Sequence, residues 1–147
     1  MRCLAGLLAA ALLSAGCGRP ADLQQVLRIT DVSSGWFDAG VVDGKNKLVP
    51  SVTFRISKTP GTRLSSVALN VVFRISGETE DRDDVFVQRV DFQEDTTAPI
   101  TVRSEYGYTG EQARAQMLAH SAFRDMEAKV FARQTSAQWI ALQDVKV

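Results

Sequence analysis

The sequence predicts an all-β protein, because apolar and polar residues alternate along several short runs and turn-forming clusters separate those runs. The clearest run extends from Val67 to Ile75, where every second side chain is large and apolar. Alternation of this period places one set of side chains on a single face of a strand, and we expect that face to be buried.

Seven segments share this pattern, and their spacing, with turns between them, favours an immunoglobulin-like β-sandwich of about seven strands. Strands this short also fit a closed barrel, which is the alternative architecture. In the fourth segment we expect Phe86, Val90 and Phe92 to lie on one shared face. The seven segments are 26–32, 48–56, 67–75, 85–92, 99–106, 126–133 and 138–147.

One short helix is predicted near residues 110–120. Thr109 and Gln112 have the spacing of a capping box, in which two side chains bond each other's backbone at the start of a helix. Ala113, Met117 and Leu118 are expected on the side of this helix that faces the core.

The first 16 residues have the pattern of an export signal. Arg2 precedes a mostly apolar stretch from Leu4 to Ala15. As a helix this stretch is roughly 18 Å long, which falls short of the ~30 Å hydrocarbon core of a bilayer. We therefore predict that residues 1–16 form a signal peptide rather than a permanent membrane span.

The residues that end this segment, Leu13-Ser14-Ala15-Gly16-Cys17, resemble the bacterial lipobox, with Ser14 where Leu is usual. The resemblance implies that the signal is cut before Cys17 and that a diacylglycerol is attached to the Cys17 thiol. It also implies acylation of the new amine in bacteria with two membranes. The alternative is an ordinary signal peptidase site, because Ser14 and Gly16 also satisfy its small-residue rule.

The same resemblance implies an address. Gly18 follows Cys17, and Asp at that position is the inner-membrane retention signal of such lipoproteins, so we expect an outer-membrane anchor facing the periplasm. Residues 17–24 are predicted as the lipidated N terminus and a tether, whose seven residues after Cys17 span at most about 25 Å. Residues 25–147 are predicted as one domain without cysteine, which depends on its own hydrophobic core.

Composition argues against a nucleic-acid partner. The chain has 17 basic and 17 acidic residues, and no basic cluster follows the signal segment. The expected partners are the membrane, reached through the covalent lipid, and a protein of the cell envelope whose identity the sequence does not give.

Neither a catalytic residue nor a cofactor is expected. The single histidine, His120, is not accompanied by a Gly-x-Ser-x-Gly motif. The acidic stretch 78–84 lacks the glycine and the final glutamate of a calcium-binding loop, so no metal site is expected there. Residues 43–47 are predicted as a turn before a strand, although their two lysines also suit lipid head groups.

The stretch from Pro50 to Gly77 loosely resembles FxLYD-type and late-embryogenesis-type immunoglobulin-like domains. The shared features are an alternating strand at 52–56, a polar turn, a second strand that contains Phe73, and a polar hairpin with Gly77. The Leu-Tyr-Asp signature is absent, and the resemblance implies fold rather than function.

Four aromatic residues on predicted loops form the candidate recognition surface. Trp36 and Phe37 follow Ser-Ser-Gly, and Tyr106 and Tyr108 flank Gly107. Aromatic side chains on loops offer a large contact area at low entropic cost. The competing interpretation is that Trp36 caps the core and one tyrosine anchors a corner of the sandwich.

These expectations describe a membrane-anchored, non-enzymatic interaction or structural module of the cell envelope. The alternative is a periplasmic protein that binds a small ligand or lipid in a cavity between the sheets.

Overall fold

A computed structural model of the chain describes residues 21–147. The predicted signal peptide and the lipobox with Cys17 lie outside this range. The helices and strands, in chain order, are α1 (Leu23–Val26), β1 (Leu27–Val42), β2 (Lys45–Lys58), β3 (Ser66–Ile75), β4 (Asp81–Gln93), β5 (Thr96–Thr97), β6 (Ile100–Arg103), β7 (Tyr108–Gly110), α2 (Arg114–Leu118), β8 (Met126–Arg133) and β9 (Ile140–Lys146).

The strands form one curled antiparallel sheet in which two halves enclose a common core. One half contains β1 and β2, and the short strands β5, β6 and β7 pair with β2. The other half has the order β4-β3-β8-β9, and the end of β4 pairs with β5 to join the halves. The predicted all-β, sandwich-like fold is confirmed, with nine strands among the described residues instead of about seven.

The alternating runs supply the core. The prediction for β3 is confirmed, since its inward-facing side chains from Val67 to Ile75 are at most 6% exposed. Each large apolar side chain buried in this way contributes about 1.5–3 kcal/mol relative to an exposed one. The side chains with 0% exposure are Leu48, Val52, Phe54, Ile56, Leu69, Val71, Phe73, Met126, Ala128, Val130 and Ala132.

Strand β1 continues ten residues beyond its predicted end at Val32. Its pairing with β2 closes at Asp43 and Gly44, whose φ angles of 49° and 76° fit a tight two-residue hairpin turn. The turn expected at 43–47 is therefore present but limited to these two residues, because Lys45, Asn46 and Lys47 already belong to β2. Register irregularities at 30–33 and 38–41 interrupt the alternation of β1, which explains why the sequence pattern concealed its length.

Strand β4 contains a bulge that corrects the prediction for its faces. Val67 of β3 pairs with Val90, but Leu69 pairs with Val87, so β4 carries one extra residue between these pairs. An extra residue reverses which side chains face the core. As a result Phe86 is 51% exposed whereas Val90 is buried, and the expectation that they share a face was wrong.

The helix predicted near 110–120 is present as α2, and Met117 is its buried residue. The predicted capping box was wrong, because Thr109 pairs with Lys47 inside the sheet and the N-cap is Ala113, without a side-chain hydrogen bond. Ala113 is exposed rather than directed into the core.

Helix α1 was not predicted. The Asp22 side chain accepts a hydrogen bond from the Gln24 N–H at 3.2 Å, and Leu23 is 4% exposed in the core. The domain therefore begins inside the segment that was assigned to the tether, which shortens the free connection to Cys17.

Candidate binding surfaces

Pro50 lies between the residues of β2 that pair with β6 and those that pair with β7, and the turn that carries Tyr106 lies opposite this gap. The Ser104 N–H donates to the Pro50 carbonyl at 3.1 Å, so the backbone of residue 50 faces β6 and β7. Proline has no N–H to continue the ladder on that side. The chain consequently leaves the sheet after Arg103 and returns at Tyr108, and the predicted strand 99–106 is interrupted.

Asp83 holds this turn in place. Its Oδ2 accepts hydrogen bonds from the Ser104 hydroxyl at 2.6 Å, the Glu105 N–H at 2.7 Å and the Tyr106 N–H at 3.4 Å. Burial alone raises the pKa of the Asp83 carboxyl, but these hydrogen bonds outweigh it and the pKa lies below its usual value. Asp83 therefore has a structural task in the acidic stretch 78–84.

Three other acidic side chains of the stretch 78–84 form ion pairs with arginines. Arg82 pairs with Glu78 at 2.6 Å and with Glu80 at 3.4 Å, and Arg74 pairs with Asp81 at 2.5 Å. Within residues 21–147 no group of three or more His, Cys, Asp or Glu side chains is arranged to hold a metal ion.

Trp36 and Tyr108, two of the four candidate recognition residues, lie together in an aromatic cluster. The expectation that Tyr108 lies on a loop was wrong, because it is the first residue of β7. Their ring centroids are 5.4 Å apart, and Phe123 lies 4.7 Å from Trp36 and 4.8 Å from Tyr108. The Tyr108 hydroxyl donates to the Arg124 carbonyl at 3.3 Å and accepts from its N–H at 3.2 Å. Trp36 is only 9% exposed, so this cluster closes one end of the core.

Trp36 and Phe37 were expected on a loop, and that expectation was wrong, because both lie within β1. Neighbouring residues of a strand face opposite sides. Trp36 thus enters the core while Phe37, 40% exposed, lies on the outer face of the sheet. Trp36 pairs with Pro50, whose backbone faces β6 and β7 rather than β1. The Trp36 carbonyl therefore points away from β2, at the free edge of β1, and Arg114 Nη2 donates to it at 2.6 Å.

A small pocket of about 280 Å³ adjoins the aromatic cluster and is lined in part by Met117, His120 and Phe123. The Nδ1 atom of His120 accepts a hydrogen bond from the Ala122 N–H at 3.1 Å. His120 therefore stabilises the turn that follows α2.

A second concavity, which we call the Phe37 groove, lies on the outer face of the β1–β2 hairpin. It has a volume of about 390 Å³ and is lined by Phe37, Lys47, Val49, Arg103 and Glu105, among others. The Arg103 guanidinium carbon lies 3.7 Å from the centroid of the Phe37 ring, a cation–π contact. Among residues 21–147, the ion pairs include neither Lys47 nor Arg103.

The four aromatic candidates therefore do not form one recognition surface, because two pack in the core cluster and two are exposed. Trp36 and Tyr108 belong to the core cluster, and Phe37 belongs to the groove. Tyr106 is 36% exposed on the turn that Asp83 anchors. Sequence reasoning missed Arg103, whose contact with Phe37 depends on both residues lying against β2 from opposite sides.

A third surface, also missed by sequence reasoning, lies on the outer face of the other half of the sheet. The Arg133 guanidinium carbon lies 4.4 Å from the Trp139 ring centroid and 5.8 Å from that of Phe86. The two rings are perpendicular at 6.0 Å. The bulge in β4 that turns Phe86 outward makes this cluster possible.

Comparison with known protein families, curated proteins and solved structures found no match to this chain. No helix in the described part of the chain is long and apolar enough to cross a membrane.

Proposed function

We propose that this protein is a lipid-anchored, non-enzymatic interaction module of the bacterial cell envelope, attached through Cys17 to the outer membrane and facing the periplasm. The observation that supports an interaction role most directly is the Phe37 groove. It combines an exposed aromatic ring, a stacked arginine and a lysine without an ion-pair partner in the described part. Aromatic residues and arginine are enriched at the energetic centres of protein interfaces.

The position of the groove suits a partner on the side away from the membrane. Phe37 lies ten residues along β1 from Leu27, a distance of roughly 30 Å in an extended strand. The N-terminal connection enters at the Leu27 end of that strand. A domain tethered there presents the groove toward the periplasm.

The chemistry of the groove suits binding rather than catalysis. A stacked guanidinium and an ammonium group recognise carboxylates or other anions, and Phe37 and Val49 supply apolar contact. His120, the only histidine of the chain, uses Nδ1 to stabilise a turn.

The alternative, a ligand cavity between the sheets, is less favoured. The side chains that face each other across the core are fully buried and packed in one cluster. The pocket beside Met117 and Phe123 has about 280 Å³, which is small for a ligand site.

Site-specific photocrosslinking in intact cells tests the proposal. A photoreactive amino acid at Val42, 41% exposed on the same face of the hairpin as Phe37, is expected to give a discrete adduct with a protein partner. Adding Phe37→Ser should abolish that adduct. The same photoreactive residue at the exposed Gln143 of β9 is the control. Equal adducts from both positions, or an adduct insensitive to Phe37→Ser, would contradict the proposal.

A further inference from the structure

The cluster of Phe86, Arg133 and Trp139 lies outside the hydrophobic core. Phe86 is 51% exposed on the outer face of the sheet, and Arg133 stacks on Trp139 at 4.4 Å. Arg133 belongs to none of the ion pairs among residues 21–147, and its Nε atom is buried without a hydrogen-bond partner. The cluster therefore presents exposed aromatic surface together with an uncompensated positive charge.

A broad cleft of about 700 Å³ adjoins this cluster. Its lining includes Ser66, Gln88, Arg133 and Thr135, which supply hydroxyl, amide and guanidinium donors. Arg89 also lines the cleft, and its Nε donates to Asp91 at 2.7 Å. Guanidinium groups bind phosphate through paired, charge-assisted hydrogen bonds. The cleft has the size and the donors to receive a phosphorylated head group.

The cluster lies at the end of the domain where the N-terminal connection enters. Trp139 immediately precedes β9, and α1 contacts β9. Leu27 at the start of β1 pairs with Lys58, whose Nζ donates to the Leu64 carbonyl at 3.1 Å just before β3. Near the start of β3, Ala68 pairs with Arg133, whose neighbour Ala132 pairs with Ile140 at the start of β9. These contacts connect the starts of β1 and β9. Their first residues, Leu27 and Ile140, consequently lie at the same end of the sandwich.

The length of chain before α1 limits how far this end stands from a lipid anchor. Cys17 lies five positions before Asp22, the N-cap of α1. Five residues reach at most about 18 Å when fully extended. If Cys17 carries lipid, as the proposed function states, the end of the domain with Trp139 is held against the bilayer surface.

We propose that Phe86, Arg133 and Trp139, with the adjoining cleft, form a surface that docks on the phospholipid head groups of the membrane. Tryptophan prefers the membrane–water interface, and an arginine close to an anionic surface is attracted to it. Trp139 and Phe86 rest among the head groups, and Arg133 binds their phosphates. The surface fixes the orientation of the tethered domain, with the Phe37 groove directed away from the membrane.

The chain offers a direct test, because it contains two tryptophans, Trp36 in the core and Trp139 in this cluster. The lipidated full-length mature protein is placed in vesicles of phosphatidylethanolamine and phosphatidylglycerol whose acyl chains carry bromine near the head group. In Trp36→Phe, where Trp139 is the only tryptophan, bromine should quench the tryptophan fluorescence strongly. In Trp139→Phe, where Trp36 remains, quenching should be weak. Equal quenching, or no quenching of Trp139 in protein that floats with the vesicles, overturns the proposal.

A second arm separates this surface from the lipid anchor. The unacylated Cys17→Ser mature protein is expected to bind the same vesicles weakly, and Arg133→Gln should lower its partitioning about fivefold. Phe86→Ser should also weaken binding, whereas Phe37→Ser, a matched change at a 40% exposed phenylalanine, should not. Equal effects of the two serine variants, or binding of inorganic phosphate without binding of vesicles, overturns the proposal. Because this arm uses unacylated protein, it decides the docking surface even if Cys17 proves to carry no lipid.

Discussion

Replacing Asp83 by alanine should lower the free energy of unfolding by about 2–3 kcal/mol. Its Oδ2 accepts two short hydrogen bonds, from the Ser104 hydroxyl at 2.6 Å and from the Glu105 N–H at 2.7 Å. Hydrogen bonds to a charged group contribute about 1.5–3 kcal/mol each. The expected loss is smaller than the sum of the two hydrogen bonds, because water can replace Asp83 as the acceptor for the exposed Glu105 N–H. Ser104 is 3% exposed, so its hydroxyl loses its acceptor inside the protein.

Urea denaturation of the unacylated Cys17→Ser mature chain at pH 7, followed by tryptophan fluorescence, measures this loss. Asp84→Ala is the matched control, because Asp84 is exposed and its carboxylate has no hydrogen bond or ion pair within residues 21–147. A surface substitution of this kind changes stability by no more than about 0.5 kcal/mol. Equal losses in the two variants would refute the anchoring role of Asp83.

The same comparison has a pH dependence of known sign. The pKa of Asp83 is lowered in the folded protein, because its hydrogen bonds outweigh the effect of burial. A carboxyl of this kind adds stability above its unfolded pKa and loses that contribution as the pH falls through its folded pKa. The stability difference between wild type and Asp83→Ala should therefore be constant near neutral pH and should narrow in acid below about pH 4. A difference that widens in acid contradicts the assignment.

Two further predictions concern the surroundings of the Phe37 groove. A Cβ at Gly107 would collide with the Leu48 carbonyl oxygen, so Gly107→Ala should cost about 1–3 kcal/mol, whereas Gly35→Ala, which meets open space, should be nearly neutral. In urea denaturation, Gly107→Ala should unfold at a lower midpoint concentration than Gly35→Ala, with the same dependence of the unfolding free energy on urea. Equal midpoints for the two variants would contradict the prediction. Arg114→Ala should cost about 1–2 kcal/mol, because the Trp36 carbonyl on the edge of β1 loses its donor. It should also shift Trp36 emission to longer wavelength in a Trp139→Phe background, and an unchanged spectrum and midpoint would remove the proposed role of Arg114.

The sequence predicted correctly those strands in which apolar and polar residues alternate without interruption. Strand β8 has the predicted bounds, Met126 to Arg133, because its inward-facing residues alternate throughout and pair in register with β3. The alternation of β3 likewise identified the residues that fill the core.

The errors in the predicted faces of β4 and in the predicted end of β1 share one physical cause, which is the β-bulge. A single extra residue between Val87 and Val90 turns Phe86 outward, and register shifts in β1 concealed the strand that contains Trp36 and Phe37. Bulges depend on which strand becomes the partner, and a single run of sequence does not contain that information.

The candidate surfaces were predictable only in part, for a related reason. Phe37 was identified from its residue type, but its contact with Arg103 exists because β1 and β6 flank β2 in space. The Phe86, Arg133 and Trp139 cluster similarly combines residues from β4, the end of β8 and the loop before β9. The aromatic contact of Trp36 with Tyr108 joins residues 72 positions apart in the sequence.

The most direct test of a membrane-anchored module is the intact mass of the protein extracted from membranes of its native host. We predict a mass equal to residues 17–147 plus a diacylglycerol on Cys17, with a further acyl group on the new amine if the host has two membranes. Treatment of the cells with an inhibitor of the lipoprotein signal peptidase should retain the signal segment in the measured mass. A mature chain with an unmodified Cys17 thiol would contradict the anchor and the orientation that depends on it.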